Sequence, residues 1–116
     1  MRFGIMTVVA VLATIGVACG GDTPTSGSHP EATQITVGDN YFTPTSVTIS
    51  PGDTVIWIWG GAVGHNVIFT TAPTTPPADC GVMSSGLCFR IMPSTTGTYN
   101  YVCSLHAGMA ASITIQ

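Results

Sequence analysis

A short stretch near the C-terminus concentrates side chains that can bind a metal. Cys103, His106 and Met109 are spaced as Cys-x-x-His-x-x-Met, so one loop offers a thiolate, an imidazole and a thioether. Soft or borderline copper prefers these ligand types, and two His, one Cys and a weak axial Met make an electron-transfer copper site. The loop supplies one His, so the second has to come from elsewhere in the chain.

The second imidazole follows by elimination, because the chain has only three histidines. His29 lies in a polar segment beside Pro30, where a solvated tail residue is expected. His65 instead follows the small, flexible stretch 60–64 and starts a predicted strand. We therefore predict four metal ligands: His65, Cys103, His106 and Met109.

These residues resemble the cupredoxins, the small blue (type 1) copper proteins of the plastocyanin, amicyanin and azurin kind. The Cys-x-x-His-x-x-Met spacing is most similar to amicyanin, and the resemblance extends from about Thr33 to Gln116. It implies one copper ion as the cofactor. Similarity to azurin implies a further weak contact from the Gly64 carbonyl. The family pattern also implies a hydrogen bond between Asn66 and Ser104 that ties the two ligand loops together.

The pattern of apolar residues predicts short strands and, beyond the N-terminal apolar run, no helix. Thr54–Trp59 is expected to be a central strand buried on both faces, with Trp57 and Trp59 on the same side. Residues 71–79 contain three prolines and are expected to form a surface loop. Tyr41-Phe42 is expected to cap one end. The domain is predicted to be an all-β, Greek-key β-sandwich of seven or eight strands.

The N-terminal residues differ from the rest of the chain. Residues 1–18 place Arg2 before an uncharged apolar run, which is typical of a secretory signal peptide. Cys19, at the predicted cleavage point, resembles the lipidated cysteine of a bacterial lipobox, although Gly16 stands where Leu is usual. Plain cleavage nearby and an uncleaved anchor are the alternatives. Residues 19–32 are predicted to be a flexible tether, and residues 33–116 the copper-binding domain.

Two further cysteines, Cys80 and Cys88, flank a short Gly- and Ser-containing loop. In an oxidising compartment this spacing predicts a local disulfide. Two free thiols remain an alternative, and a second metal site is a weaker one because no His lies beside the pair.

Composition narrows the function classes further. The chain has 116 residues, 45% of them hydrophobic and 6% charged, with a formal net charge of −3. A single domain is expected, and nucleic-acid binding is disfavoured because the chain has only two Lys or Arg residues.

The predicted ligand set leaves the metal no open position for a substrate. The sequence therefore predicts an exported, monomeric single-electron carrier rather than an enzyme. It would reside in the periplasm or cell envelope, with a lipid as its membrane attachment. Redox protein partners are expected to dock at the apolar end where His106 emerges. A copper carrier or storage protein with the same ligands is the alternative. A nitrite reductase or multicopper oxidase would need several more His ligands, and a copper-free adhesive domain would lack the blue colour.

Overall fold

The computed structural model describes residues 32–116, which form nine β-strands and no helix. In chain order the strands are β1 (Thr33–Gly38), β2 (Tyr41–Thr43), β3 (Ser46–Ile49), β4 (Thr54–Trp59), β5 (His65–Thr71), β6 (Cys80–Met83), β7 (Gly86–Ile91), β8 (Gly97–Val102) and β9 (Ala110–Ile115). The predicted signal peptide, Cys19 and His29 lie outside the described residues. No helix in residues 32–116 is long and apolar enough to cross a bilayer.

The strands form two sheets that pack face to face. One sheet has the order β2-β1-β4-β7 and the other the order β3-β9-β8-β5-β6. The pairs β1/β4 and β3/β9 are parallel, and the other pairs are antiparallel. Across the interface the Trp57 ring meets the Tyr101 ring edge to face at a centroid distance of 5.6 Å. The predicted all-β sandwich is confirmed, with nine strands in this part of the chain rather than seven or eight.

Strand β4 is not buried on both faces, and that prediction is wrong. Val55, Trp57 and Trp59 point into the core, whereas Ile58 is 36% exposed on the opposite face. No second layer among the described residues covers the outer face of this sheet. A continuous apolar run therefore forms a strand with one solvent-facing side, as a two-layer sandwich requires.

Two short strands were not predicted. Tyr41-Phe42 belongs to β2, where Phe42 is buried and Tyr41 is exposed, so the pair does not jointly cap an end. Strand β6 occupies part of the predicted loop between Cys80 and Cys88 and pairs with β5. Gly86 has a φ of 91°, a left-handed conformation that costs glycine little and that allows the chain to turn into β7.

Several strands end or begin at one end of the sandwich. Strand β8 leads into Cys103 and β9 starts directly after Met109, with Val102 paired to Ala110. Strand β5 starts there at His65. Strand β1 leads into the turn that contains Asp39, and β4 leads into the loop after Trp59. Because β1 and β4 run parallel, both segments lie at this same end. The fold thereby brings three distant parts of the chain to one pole, namely the turn at Asp39, the loop that joins Trp59 to His65 and the loop from Cys103 to Met109.

Candidate metal centre

Three predicted ligands converge at this pole. The Nδ1 atoms of His65 and His106 are 3.1 Å apart, and Cys103 Sγ lies 3.8 Å from the first and 3.5 Å from the second. His65 and Cys103 are buried, whereas His106 is only partly buried. Two imidazole nitrogens and one sulfur therefore face a common point within the described domain.

The loop between β8 and β9 is closed by its own backbone. The Cys103 N–H donates to the Met109 carbonyl at 2.9 Å, and the Met109 N–H donates to the His106 carbonyl at 3.4 Å. Gly108 has a φ of 77°, a left-handed conformation that costs glycine little. Met109, the fourth predicted ligand, is buried at the end of this loop. Short-range hydrogen bonds thus hold Cys103, His106 and Met109 together.

His65 is fixed from both its backbone and its side chain. Trp59 Nε1 donates to the His65 carbonyl at 3.0 Å, so this buried indole anchors the backbone of a predicted ligand. The ring Nε2 lies 2.9 Å from Asp39 Oδ1. Because a carboxylate can only accept a hydrogen bond from this nitrogen, Nε2 carries the hydrogen and Nδ1 is free to bind a metal.

Asp39 is a site residue that the sequence did not reveal. Its carboxylate also accepts the Ala62 N–H, 3.1 Å from each oxygen, and the Val63 N–H at 3.3 Å. The hydrogen bond from His65, followed by these two backbone bonds, lowers the pKa of the Asp39 carboxyl. The only local signal was the turn composition of Gly38-Asp39-Asn40, and aspartate is common in turns without any link to a metal.

The two loops that carry the ligands are joined by a pair of side-chain contacts. Asn66 Nδ2 donates to Ser104 Oγ at 2.8 Å, and the Ser104 N–H donates to Asn66 Oδ1 at 2.8 Å. The structure thus brings together the two residues that the resemblance paired. The further contact from the Gly64 carbonyl stays a prediction.

The chemistry of the converging atoms fits a metal cation. In zinc proteins the metal lies about 2.0–2.3 Å from His nitrogen and Cys sulfur. Donors separated by the 3.1–3.8 Å seen here can share an ion at such distances. Two imidazoles and a thiolate beside a thioether are the set that copper prefers for electron transfer. Cys103, His65 and His106 would hold the ion directly.

The surface around the centre is apolar. Val63 is 47% exposed, Val82 is 61% exposed and Leu105 is 53% exposed. We call these three residues, with His106 and Ala107, the apolar pole. Val82 belongs to β6, so the unpredicted strand contributes to this surface.

The two remaining cysteines of the described domain form a disulfide. Cys80 and Cys88 are joined with a Cα–Cα distance of 6.3 Å, and the bond connects β6 in one sheet to β7 in the other. Cys103 is the free cysteine among residues 32–116, which leaves its thiol available for metal.

Comparison with known proteins places these features in context. A family model described as copper binding proteins, plastocyanin/azurin family, matches residues 31–116. Plastocyanin from Scenedesmus fuscus is 34% identical over 88 residues, covering 68% of this chain and 90% of that protein. Amicyanin from Paracoccus versutus is 30% identical over 97 residues, covering 80% of this chain and 73% of that protein.

A solved structure of a Cu-containing nitrite reductase from Thermus scotoductus SA-01 matches with a TM-score of 0.66. It is 18% identical, and the match covers 73% of this chain and 22% of that chain. At this identity the match shows a shared fold and no more.

Proposed function

The chain belongs to the plastocyanin/azurin family of copper-binding proteins, and from this premise we propose that it is an exported single-electron carrier. The proposed ligands are His65, Cys103, His106 and Met109. Bound copper would supply a one-electron couple between Cu(II) and Cu(I). Residues 32–116 would bind the ion, orient its ligands and keep water away.

The difference in exposure among the ligands carries this proposal. His65, Cys103 and Met109 are buried, whereas His106 is partly exposed at the apolar pole. A site closed on three sides offers no room for a substrate to bind the metal. The partly exposed imidazole still offers an electron a short route to a partner protein. This combination favours electron transfer over catalysis.

The hydrogen bonds around the ligands support the same function. Both His65 and the loop after Cys103 are held by contacts that do not depend on a metal, including Trp59 to His65 and Asn66 to Ser104. Such anchoring limits rearrangement when the charge on the metal changes. A small rearrangement is what a one-electron carrier needs between its two states.

The enzyme alternative requires residues that the described domain lacks. Additional copper centres would need several more His ligands. His65 and His106 are the two histidines in residues 32–116, and the chain adds only His29. We therefore propose a carrier rather than an oxidase or reductase.

Adding Cu(II) to the purified domain tests the site. We expect an intense blue absorption from the bond between the Cys103 thiolate and copper. Cys103→Ser should abolish this band, because a hydroxyl does not supply the thiolate. The double variant Cys80→Ala/Cys88→Ala is the control and should stay blue. A blue Cys103→Ser protein would contradict the ligand assignment.

Kinetics separates the carrier from a copper delivery or storage protein. Electron self-exchange between oxidised and reduced copies should be fast compared with transfer of copper to a metal-free acceptor. Ready loss of copper to the acceptor, with slow electron exchange, would favour delivery or storage.

We further propose export through residues 1–18 and attachment through a lipid on Cys19, both outside the described residues. The apolar run after Arg2 and the cysteine at its end support this. Fractionation of cells that express the wild-type protein or Cys19→Ala tests it. Equal membrane association of both processed proteins would refute the lipid anchor.

A further inference from the structure

The second ring nitrogen of His65, Nε2, forms a hydrogen bond with a carboxylate. This nitrogen lies 2.9 Å from Asp39 Oδ1, and the His65 side chain is fully buried while that of Asp39 is 43% exposed. Asp39 is 26 residues away in the sequence and belongs to the turn between β1 and β2. A charged group therefore contacts the metal centre through one of its ligands.

The loop after β4 is shaped to hold that carboxylate. The N–H groups of Ala62 and Val63 both donate to Asp39. A Cβ atom at Gly61 would overlap Asp39 Oδ1 and would lie only 2.9 Å from its Cγ. Glycine at position 61 thus leaves the space in which the carboxylate lies. Three donors and this space fix Asp39 against His65.

We propose that Asp39 is a positioning residue that sets the redox equilibrium of the centre, an inference that rests on the proposed function. Its hydrogen bond holds His65 with Nδ1 directed toward Cys103 and His106. Its negative charge raises the basicity of the imidazole and favours the more highly charged Cu(II) state over Cu(I). The fully buried His65 ring lies between the Asp39 carboxylate and the position of the metal, so little solvent can enter between them to screen this effect.

Few other charged side chains in residues 32–116 could affect the metal centre. The other charged side chains of residues 32–116 are Asp53, Asp79 and Arg90. Asp79 accepts the Phe69 N–H, and Arg90 donates to the carbonyls of Ala78, Asp79 and Phe89. Of these four groups, Asp39 is the one that touches a proposed ligand. Within residues 32–116, Asp39 is thus the one charged side chain placed to adjust the metal.

Equilibrium redox titration of the copper-loaded protein with soluble mediators tests the charge. Asp39→Asn keeps an oxygen acceptor and removes the charge. We expect the equilibrium to move toward Cu(I) by about tenfold, which is about 59 mV for one electron. Asp53→Asn is the matched control. The six residues of β4 separate Asp53 from the end of the sandwich that holds the metal centre, a distance of roughly 20 Å at the usual rise of a strand. The reduction potential of the Asp53→Asn protein should therefore equal that of the wild type.

A second pair of variants tests position at constant charge. Gly61→Ala retains Asp39 but fills the space of its carboxylate, and it should shift the equilibrium in the same direction as Asp39→Asn. Gly60→Ala is the control, because a Cβ there meets only Thr36 Cγ2 at an ordinary 3.6 Å. An unshifted potential in Asp39→Asn, or an equal shift in Asp53→Asn, would overturn the inference. So would equal potentials in the two glycine variants.

Nitrogen-15 NMR of the reduced wild-type protein gives a test that needs no variant. We expect a proton on His65 Nε2 that exchanges slowly with solvent, and faster exchange in Gly61→Ala. A wild-type His65 with its proton on Nδ1 would overturn the inference. A copper-loaded wild type without a blue band would instead contradict the proposed function, while the potentials and the NMR signal would still decide the role of Asp39.

Discussion

Two buried tyrosines on β8 have hydroxyl groups that differ in their hydrogen bonding. Tyr99 and Tyr101 are both fully buried on the same face of the strand. Tyr99 Oη donates to the Thr95 carbonyl at 2.8 Å, whereas Tyr101 Oη and the neighbouring Trp57 Nε1 both lack a hydrogen bond of good geometry among the described residues. Burial raises the pKa of Tyr101 to about 12, against a smaller opposing effect of the Trp57 N–H. The two side chains are therefore equally buried, but only the Tyr99 hydroxyl makes a well-formed hydrogen bond among the described residues.

We predict different effects when each hydroxyl is removed. Tyr99→Phe should lower the free energy of unfolding by about 1 kcal/mol, because it deletes a hydrogen bond and leaves the Thr95 carbonyl without this donor. Tyr101→Phe should change it by less than about 0.5 kcal/mol or raise it, because an unpaired buried hydroxyl is costly. Urea denaturation of the copper-free variants measures both. Equal destabilisation would show that Tyr101 Oη has a partner in solution.

The proposed ligands could be identified at the residue scale because their signal is local. Cys103, His106 and Met109 lie within seven consecutive residues, and the chain has few histidines from which to choose the remaining ligand. Asp39 could not be found in this way. Its link to His65 depends on the parallel pairing of β1 with β4, which places the β1–β2 turn beside the loop after Trp59. The spacing of residues in the sequence gives no indication that Asp39 contacts His65.

At the scale of elements, strand β6 and its link to β7 support the end of the sandwich that holds His65 and Cys103. Strand β6 pairs with β5, with His65 opposite Met83. A Cβ on Gly64 would lie 3.0 Å from Val82, so this part of β6 packs closely against the residue before His65. The Cys80–Cys88 disulfide holds β6 beside β7, which belongs to the other sheet. The bond therefore restrains one side of the His65 loop.

We predict that loss of this disulfide loosens β6 without removing the metal centre. The two cysteines are eight residues apart, and closing such a loop stabilises the fold by roughly 2.5 kcal/mol in the chain-entropy model. Cys80→Ala/Cys88→Ala should lower the free energy of unfolding by about this amount and speed amide exchange near His65. Amide exchange in β3 and β9, at the opposite side of the sheet from β6, is the internal control. Unchanged stability would show that pairing with β5 holds β6 in place without the disulfide.

The strands themselves were predictable to different degrees. Strand β9 has the predicted bounds, Ala110–Ile115, because alternating side chains follow a clear loop. Strand β4 was located correctly, but an apolar run cannot reveal whether a second layer covers its outer face. Strand β6 has four residues and a glycine within it, so it offers too little pattern to distinguish it from a loop. Pairing with β5 defines this strand, and that pairing is a tertiary contact.

At the scale of the molecule, the distribution of charge is the main guide to how a partner would approach. Residues 32–116 contain three Asp, one Arg and no Lys or Glu. Near the metal pole the one such charge is Asp39, whose carboxylate accepts hydrogen bonds from Ala62, Val63 and His65. The apolar pole defined above otherwise presents Val63, Val82 and Leu105 to solvent. Docking there would depend on small apolar contacts, as in weak redox encounters.

We predict that electrons enter and leave through the apolar pole. Ala107 is exposed beside His106, so Ala107→Glu should slow electron self-exchange by about tenfold, because two copies would then oppose like charges in an apolar contact. The blue absorption should be nearly unchanged, since Ala107 is not a proposed ligand. Ser94→Glu is the matched control. Ser94 is exposed in the turn before β8, at the far end of the strand that leads to Cys103, so the same added charge should have little effect.

The salt dependence of the self-exchange rate independently tests whether electrons pass through the apolar pole. The wild-type self-exchange rate should change by less than about twofold between low and moderate salt, because steering requires charge near the contact. Ala107→Glu should recover part of its lost rate as salt screens the added charge. A wild-type rate that changed many-fold with salt, or equal rates for Ala107→Glu and Ser94→Glu, would show that electrons pass elsewhere. In that case the partial exposure of His106 would have no role in electron transfer.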